Sequence, residues 1–91
     1  MFCLYGGNFK DGFIINSGIF EGTVFIGKEG VFKPGFIVEG GEFKKNFIVQ
    51  GGNYQQGFKV IGGKFLQQLH IVDGNFDTIE INNEGLNYDL V

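Results

Sequence analysis

Residues 36–63 of the chain read FIVEGGEFKKN FIVQGGNYQQG FKVIGG, an eleven-residue unit that begins again at Phe47 and at Phe58. Counted from its glycine, the unit is Gly-x-Phe-x-x-x-Phe-x-Val-x-x. The glycine recurs along the whole chain in steps of eleven residues, with a single step of twelve, at Gly7, Gly18, Gly30, Gly41, Gly52, Gly63, Gly74 and Gly85. Three apolar positions keep their place through six units, which is the signature of a repeat architecture.

The unit contains two short stretches of alternation, Gly-x-Phe and Phe-x-Val, and a period of two residues predicts β-strand. Phe43 follows Val38 at a step of five positions. Because this step is odd, a corner must come between the two strands if both side chains face inward. The chain also has 17 glycines and no alanine, a composition that disfavours helices. The sequence therefore predicts an all-β fold, a single-stranded β-helix or β-solenoid. We expect one domain over residues 1–91, with repeats over 7–83 and terminal caps over 1–6 and 84–91.

Three arrangements of these strands remain open. One coil of the solenoid could be a single unit of eleven residues with two sides. It could instead be two units, 22 residues with four sides, which we favour because turns of two or three residues span the ~10 Å between facing strands only with strain. The third arrangement is an antiparallel β-meander of hairpins. Odd and even units look alike in sequence, so the pattern alone does not choose.

The short strands and glycine corners resemble polymer-forming or scaffold β-solenoids such as bactofilins and pentapeptide-repeat proteins. The motif of neither family is matched residue by residue. The resemblance therefore implies a solenoid fold and a structural or scaffolding role, and it assigns no functional residue to any position of this chain.

The composition argues against most chemistry. The single Ser, Cys and His are Ser17, Cys3 and His70, and stacking of the coils would hold the first two far from the third. The carboxylates occupy different repeat positions, so they form no catalytic or metal-binding cluster. We therefore expect a non-enzymatic protein with no cofactor and no metal site. The net charge of −3 and the absence of arginine make nucleic acid an unlikely partner.

The sequence shows no apolar run long enough for a membrane helix and no signal peptide, so we expect a cytoplasmic protein without membrane association.

One outward position of the repeat stands out. Seven residues after each glycine the side chain should face solvent, yet four consecutive units place a large apolar residue there: Ile14, Phe25, Ile37 and Ile48. The column then continues with Lys59, His70 and Ile81. An exposed apolar ridge is typical of a protein interface.

The end of the chain differs from the rest. Residues 71–91 contain five acids and no lysine, and the unit decays there. Counting in elevens places Glu80 in an inward position.

The leading hypothesis is a structural or protein–protein interaction solenoid, a homo-oligomer that associates through the ridge and the coil ends. The alternative is a small inhibitor of the viral or mobile-element type, which would occlude a host protein through the acidic residues Asp73, Asp77, Glu80 and Glu84.

Overall fold

The computed structural model describes residues 1–33 and 35–82, and the backbone of residues 88–90. The regular elements in these residues are all β-strands, and none of these residues belongs to a helix that could cross a membrane. The strands are β1 (Phe2–Phe9), β2 (Phe13–Ile15), β3 (Ile19–Phe20), β4 (Val24–Phe32), β5 (Phe36–Val38), β6 (Glu42–Phe43), β7 (Phe47–Val49), β8 (Asn53–Tyr54), β9 (Phe58–Val60), β10 (Lys64–Phe65), β11 (Leu69–Ile71), β12 (Asn75–Phe76), β13 (Ile79–Ile81) and β14 (Tyr88–Leu90).

Every pairing between the described strands is parallel and joins units that are two repeats apart. Phe36 pairs with Phe58, and Val38 with Val60, across β5 and β9. One coil is therefore two eleven-residue units with four sides, and about four coils stack to form a β-solenoid. The four-sided interpretation is confirmed, and both the eleven-residue coil and the antiparallel meander are wrong.

The four sides follow one another along the chain. The first side holds the beginnings of β1 and β4, with β7, β11 and β14. The second holds the ends of β1 and β4, with β8 and β12. The third side is β2, β5, β9 and β13, and the fourth is β3, β6 and β10. The first coil spans residues 2–23, the second 24–46, the third 47–68 and the described part of the fourth 69–82.

Stacked aromatic rings fill the interior in three ladders. On the second side, Phe9, Phe32, Tyr54 and Phe76 lie with ring centroids 4.9, 4.8 and 4.7 Å apart and near-parallel planes. The other ladders are Phe13–Phe36–Phe58 and Phe20–Phe43–Phe65. Adjacent ladders meet edge to face, as Phe32 and Phe36 do at 5.4 Å and 83°. The rings therefore gain both stacked and edge contacts in addition to burial.

Tyr54 is the one ladder ring that carries a polar group. It is fully buried, and its hydroxyl donates a hydrogen bond to the Gly51 carbonyl at 2.7 Å, so burial leaves the donor satisfied. Burial also raises the pKa of Tyr54 well above its ordinary value, because the phenolate would be poorly solvated in this interior.

Glycine is required at the corner between the third and fourth sides. A Cβ added at Gly40 would lie 2.5 Å from the backbone oxygen of Asn16 in the coil above. The next residue, Gly41, has a φ of 101°, a conformation that side chains with a Cβ rarely adopt. The stacked backbones therefore approach one another too closely at Gly40 for any larger residue at that position.

The single twelve-residue step in the repeat is absorbed at another corner. Ile26 pairs with Val49, and Val31 pairs with Asn53. The corner between the first and second sides therefore contains one residue more within β4 than it does between β7 and β8. A register shift in the pairing of β1 with β4 lies at the same place. The extra residue is accommodated as a bulge, and the inward residues on either side keep their positions.

We expect Phe36→Ala to lower the free energy of unfolding by about 3–5 kcal/mol, because the ring is fully buried between Phe13 and Phe58. Phe65→Ala should cost about half as much, since Phe65 ends its ladder and is only half-buried. Denaturant unfolding of both variants measures the difference, and equal losses would contradict the ladder arrangement.

Tyr54 also predicts an alkaline loss of stability. The folded pKa lies above the unfolded value of 10.0, so the fold favours the protonated phenol and this stabilisation is present below pH 10. Above pH 10 it should decline by about 1.4 kcal/mol per pH unit. Tyr54→Phe should remove this slope, and at neutral pH it should cost about 1 kcal/mol for the lost hydrogen bond. Urea unfolding between pH 8 and 11 measures the slope, and a slope that persists unchanged in Tyr54→Phe would contradict this assignment.

Candidate interaction surface

The apolar ridge anticipated from the sequence lies on two opposite sides of the solenoid. Phe25 pairs with Ile48 on the first side. Ile14 pairs with Ile37 on the third. A coil of 22 residues requires this division, because consecutive units occupy opposite sides.

Each column loses its apolar character along the solenoid axis. On the first side Cys3, Phe25 and Ile48 are followed by His70. On the third side Ile14 and Ile37 are followed by Lys59 and Glu80. The apolar part of both columns therefore lies toward the first coil. The four ridge residues are unequally exposed. Ile14 has 54% of its surface in solvent, whereas Phe25, Ile37 and Ile48 are more shielded and are half-buried.

Further apolar side chains are exposed on the first coil. Met1 is 82% exposed, Tyr5 68% and Ile19 65%, and Phe2 is also partly in solvent. The ridge hypothesis missed them because it followed a single repeat position. The residue between the glycine and the first phenylalanine of each unit also faces outward. That column includes Ile19 and Glu42, and it would have predicted the exposure of Ile19.

The first coil also presents unpaired backbone. Among the described strands, β1 pairs only with β4, β2 only with β5, and β3 only with β6, so one edge of each is open. The rings that end the ladders there, Phe9 and Phe13, are half-buried, whereas the next rings below them are fully buried. We call the open edge of β1, β2 and β3 the N-terminal edge. Unpaired strand edges are templates for pairing with another chain.

A recess opens at the corner of the N-terminal edge between the fourth and first sides. Its volume is ≈ 210 Å³, and it is lined by Met1, Phe2, Ile19, Phe20, Glu21 and Gly22. Phe2 and Phe20 meet edge to face across it at 5.7 Å. The Glu21 carboxylate forms an ion pair with the Lys44 ammonium group at 3.3 Å and remains largely in solvent. The recess therefore combines apolar walls with one exposed carboxylate.

The acidic residues are dispersed over the fourth coil. Asp77 accepts a hydrogen bond from the Gln56 amide at 3.0 Å, and Asp73 from the Gly74 amide at 2.8 Å, so both carboxylates stabilise corners of the solenoid. Glu84 lies outside the described residues. The candidate acidic surface thus rests on Asp73, Asp77 and Glu80, all exposed.

The expectation that Glu80 occupies an inward position is wrong, and so is the outward position of Ile81. Ile79 pairs with Phe58, Glu80 with Lys59 and Ile81 with Val60, so Glu80 faces solvent and Ile81 packs against the core. The corner before β13 is one residue shorter than the corresponding corner of the coil above, which shifts the strand back into register. Shortening a corner costs far less than burying an unpaired carboxylate.

Reactive side chains are few and separated on this surface. Cys3 lies three coil steps above His70 in the first-side column. A hydrogen bond to Cys3 raises the pKa of the neighbouring Tyr5 hydroxyl. In the described part of the chain, no three His, Cys, Asp or Glu residues come together as a possible metal site.

Comparison with known proteins yields no relative for this chain. No protein-family model matches it. No curated protein matches it. No solved structure matches it either, so neither the bactofilin nor the pentapeptide-repeat resemblance gains support at the level of a family.

The register of the last coil predicts unequal effects at two adjacent residues. Ile81→Ser should lower the free energy of unfolding by about 2 kcal/mol, because it removes apolar contacts with the core. Glu80→Ser should change it by no more than about 0.5 kcal/mol, as expected for a surface position. Thermal or urea unfolding of the pair compares them, and a larger effect at Glu80 would restore the inward assignment.

Proposed function

We propose that the chain is a non-enzymatic protein-interaction β-solenoid and that the protein it binds is a second copy of itself. The observation that carries this proposal is the first coil. It exposes Met1, Tyr5, Ile14 and Ile19 in the same coil whose strands have an open edge. A coil of this kind is the part of a solenoid that gains most from being covered.

The energetics support association at this end of the molecule. Burial of a large apolar side chain contributes about 1.5–3 kcal/mol, and several such side chains together can offset the cost of immobilising a partner. The first coil carries three charged side chains, Lys10, Asp11 and Glu21, so little charge must be desolvated. Hydrogen bonds from a partner strand would in addition satisfy the open backbone groups of β1, β2 and β3.

The separation of reactive side chains supports a role without catalysis. Cys3 and His70 lie in the same outward column but in the first and fourth coils, and two of the fourth-coil carboxylates accept backbone hydrogen bonds. Binding is the activity that such a surface favours.

Light scattering coupled to size exclusion tests self-association. We expect the full chain to have a mass above the 10.1 kDa of one copy at high micromolar concentration and to dissociate on dilution. Ile14→Lys combined with Ile19→Lys should shift it to monomer, because both side chains are exposed on the first coil.

The matched control is Ile61→Lys, which also replaces an exposed isoleucine but lies in the third coil. It should leave the mass unchanged, and circular dichroism should show that all variants keep their β-structure. A strict monomer at high micromolar concentration would overturn the proposal.

A further inference from the structure

We infer that two copies join through their N-terminal edges, related by a two-fold axis that passes through the corners at residues 5–7 and 16–18, and that the assembly closes at two copies. This inference rests on the proposed function and gives it a geometry. The first coil is a square of four sides, so its open face can meet another such face in only a few symmetric ways, and the chain's charges and side-chain directions distinguish among them.

The charges favour contact between two N-terminal edges. The fourth coil exposes Asp73, Asp77 and Glu80, and residues 71–91 contain no lysine. Two fourth-coil ends would repel each other. An N-terminal edge against a fourth-coil end would bring Asp11 and Glu21 toward further acids. Two N-terminal edges bring together the less charged of the two ends of the stack, and the acidic ends then prevent the stack from growing.

The positions of Lys10 and Glu21 select the axis. Lys10 lies at the corner between the second and third sides, and Glu21 at the diagonally opposite corner. The axis through the other two corners is the one that brings Lys10 of each copy to the corner of Glu21 in the other, where the ammonium group would lie between Glu21 and its own neighbour Asp11. An axis along the opposite diagonal would place Glu21 against Glu21 and Lys10 against Lys10. Axes through the midpoints of the sides leave both residues without an opposite charge.

The recess beside Glu21 is suited to a lysine side chain. Met1, Phe2, Ile19 and Phe20 supply apolar walls for the aliphatic stem. The Glu21 carboxylate pairs with Lys44 of its own chain through Oε1 and is largely in solvent, so its other oxygen can accept a hydrogen bond from the ammonium group. Lys10 is exposed and forms no ion pair with another described residue, so it is available to a second copy. Its insertion would fill the opening that lies at the edge of the proposed interface.

Side-chain directions agree with the same axis. An antiparallel pairing of β1 with β1 of the second copy, centred on the corner at residues 5–7, places Phe2 opposite Phe9 and Cys3 opposite Asn8. The first pair faces inward and the second outward. The axis also places β2 against β3 of the second copy.

In that second pairing the inward rings of Phe13 and Phe20 meet, and the outward side chains of Ile14 and Ile19 become neighbours. A shift by one residue would set inward against outward side chains in every pair. The two most exposed isoleucines of the first coil would then cover each other.

The size of the interface is sufficient for a dimer. A coil of 22 residues at ~3.3 Å per residue outlines a square of at most about 18 Å by 18 Å. With its outward side chains such a face buries at most about 600 Å² on each copy, and the total of about 1,200 Å² lies at the lower limit of stable interfaces. A reversible dimer is therefore expected.

A charge exchange tests the axis. Lys10→Glu and Glu21→Lys should each raise the dimer dissociation constant at least about tenfold, because each places like charges together. The double variant should return it to within about threefold of the unmodified chain. Sedimentation equilibrium at low salt measures all four proteins, and failure of the double variant to recover would overturn this axis.

A disulfide tests the pairing directly. Asn8→Cys should give covalent dimers with Cys3 of the second copy on mild oxidation, since opposed residues in an antiparallel pair lie about 4.5–5.5 Å apart between Cα atoms. Asn53→Cys is the matched control, because it occupies the same outward column two coils away and should remain monomeric on a non-reducing gel. Equal cross-linking of the two variants would overturn the pairing.

The outcomes separate this inference from the function on which it rests. A dimer that survives Ile14→Lys with Ile19→Lys and is dispersed by Ile48→Lys would keep self-association and overturn the edge interface. A mass that grows beyond two copies with concentration would keep self-association and overturn closure. A strict monomer would overturn both.

Discussion

The fold depends on one repeat distance, the spacing of about 4.8 Å that backbone hydrogen bonds impose between neighbouring parallel strands. Every side chain of one coil must therefore tolerate its counterpart directly above and below. Flat aromatic rings meet this condition, since their centroids repeat at 4.6 to 5.1 Å along the ladders while their faces remain in contact. Glycine meets it at corner positions such as Gly40, where the stacked backbones leave no room for a Cβ. The abundance of phenylalanine and glycine follows from this one constraint.

The same constraint makes the first coil different from the others. A coil in the middle of the stack has partners on both sides, whereas β1, β2 and β3 have one, and the end rings of their ladders are correspondingly more exposed. The outward columns of the first, third and fourth sides become apolar toward this same end. Self-association through the N-terminal edge would therefore satisfy the open backbone, the end rings and the outward isoleucines with a single contact.

The solenoid fold could be predicted from the sequence, but parts of its geometry could not. The positions of Phe36, Val38 and Phe43 predicted short inward-facing strands with a corner between them, and the structure confirms this. The choice of 22 residues per coil rested on turn strain, because odd and even units offer the same residue types. The inward assignment of Glu80 was wrong because the corner before β13 is one residue short. The step from Gly74 to Gly85 is still eleven residues, so the glycine spacing does not show this loss. Ile19 lies in a second outward column, one position after the glycine of each unit, which the ridge position does not include. Which apolar residues remain exposed depends on the position of each coil in the stack, and periodicity alone does not contain that information.

The corners have a consequence for how this chain could change in length. β4 gains a residue at one corner and β13 follows a corner that has lost one, yet the inward residues of both strands stay aligned with their neighbours. An insertion inside a three-residue strand would instead turn its core side chains outward. Single-residue insertions and deletions are therefore tolerated at the corners and excluded from the strands, whereas whole coils could be added or removed in steps of 22 residues without disturbing any ladder.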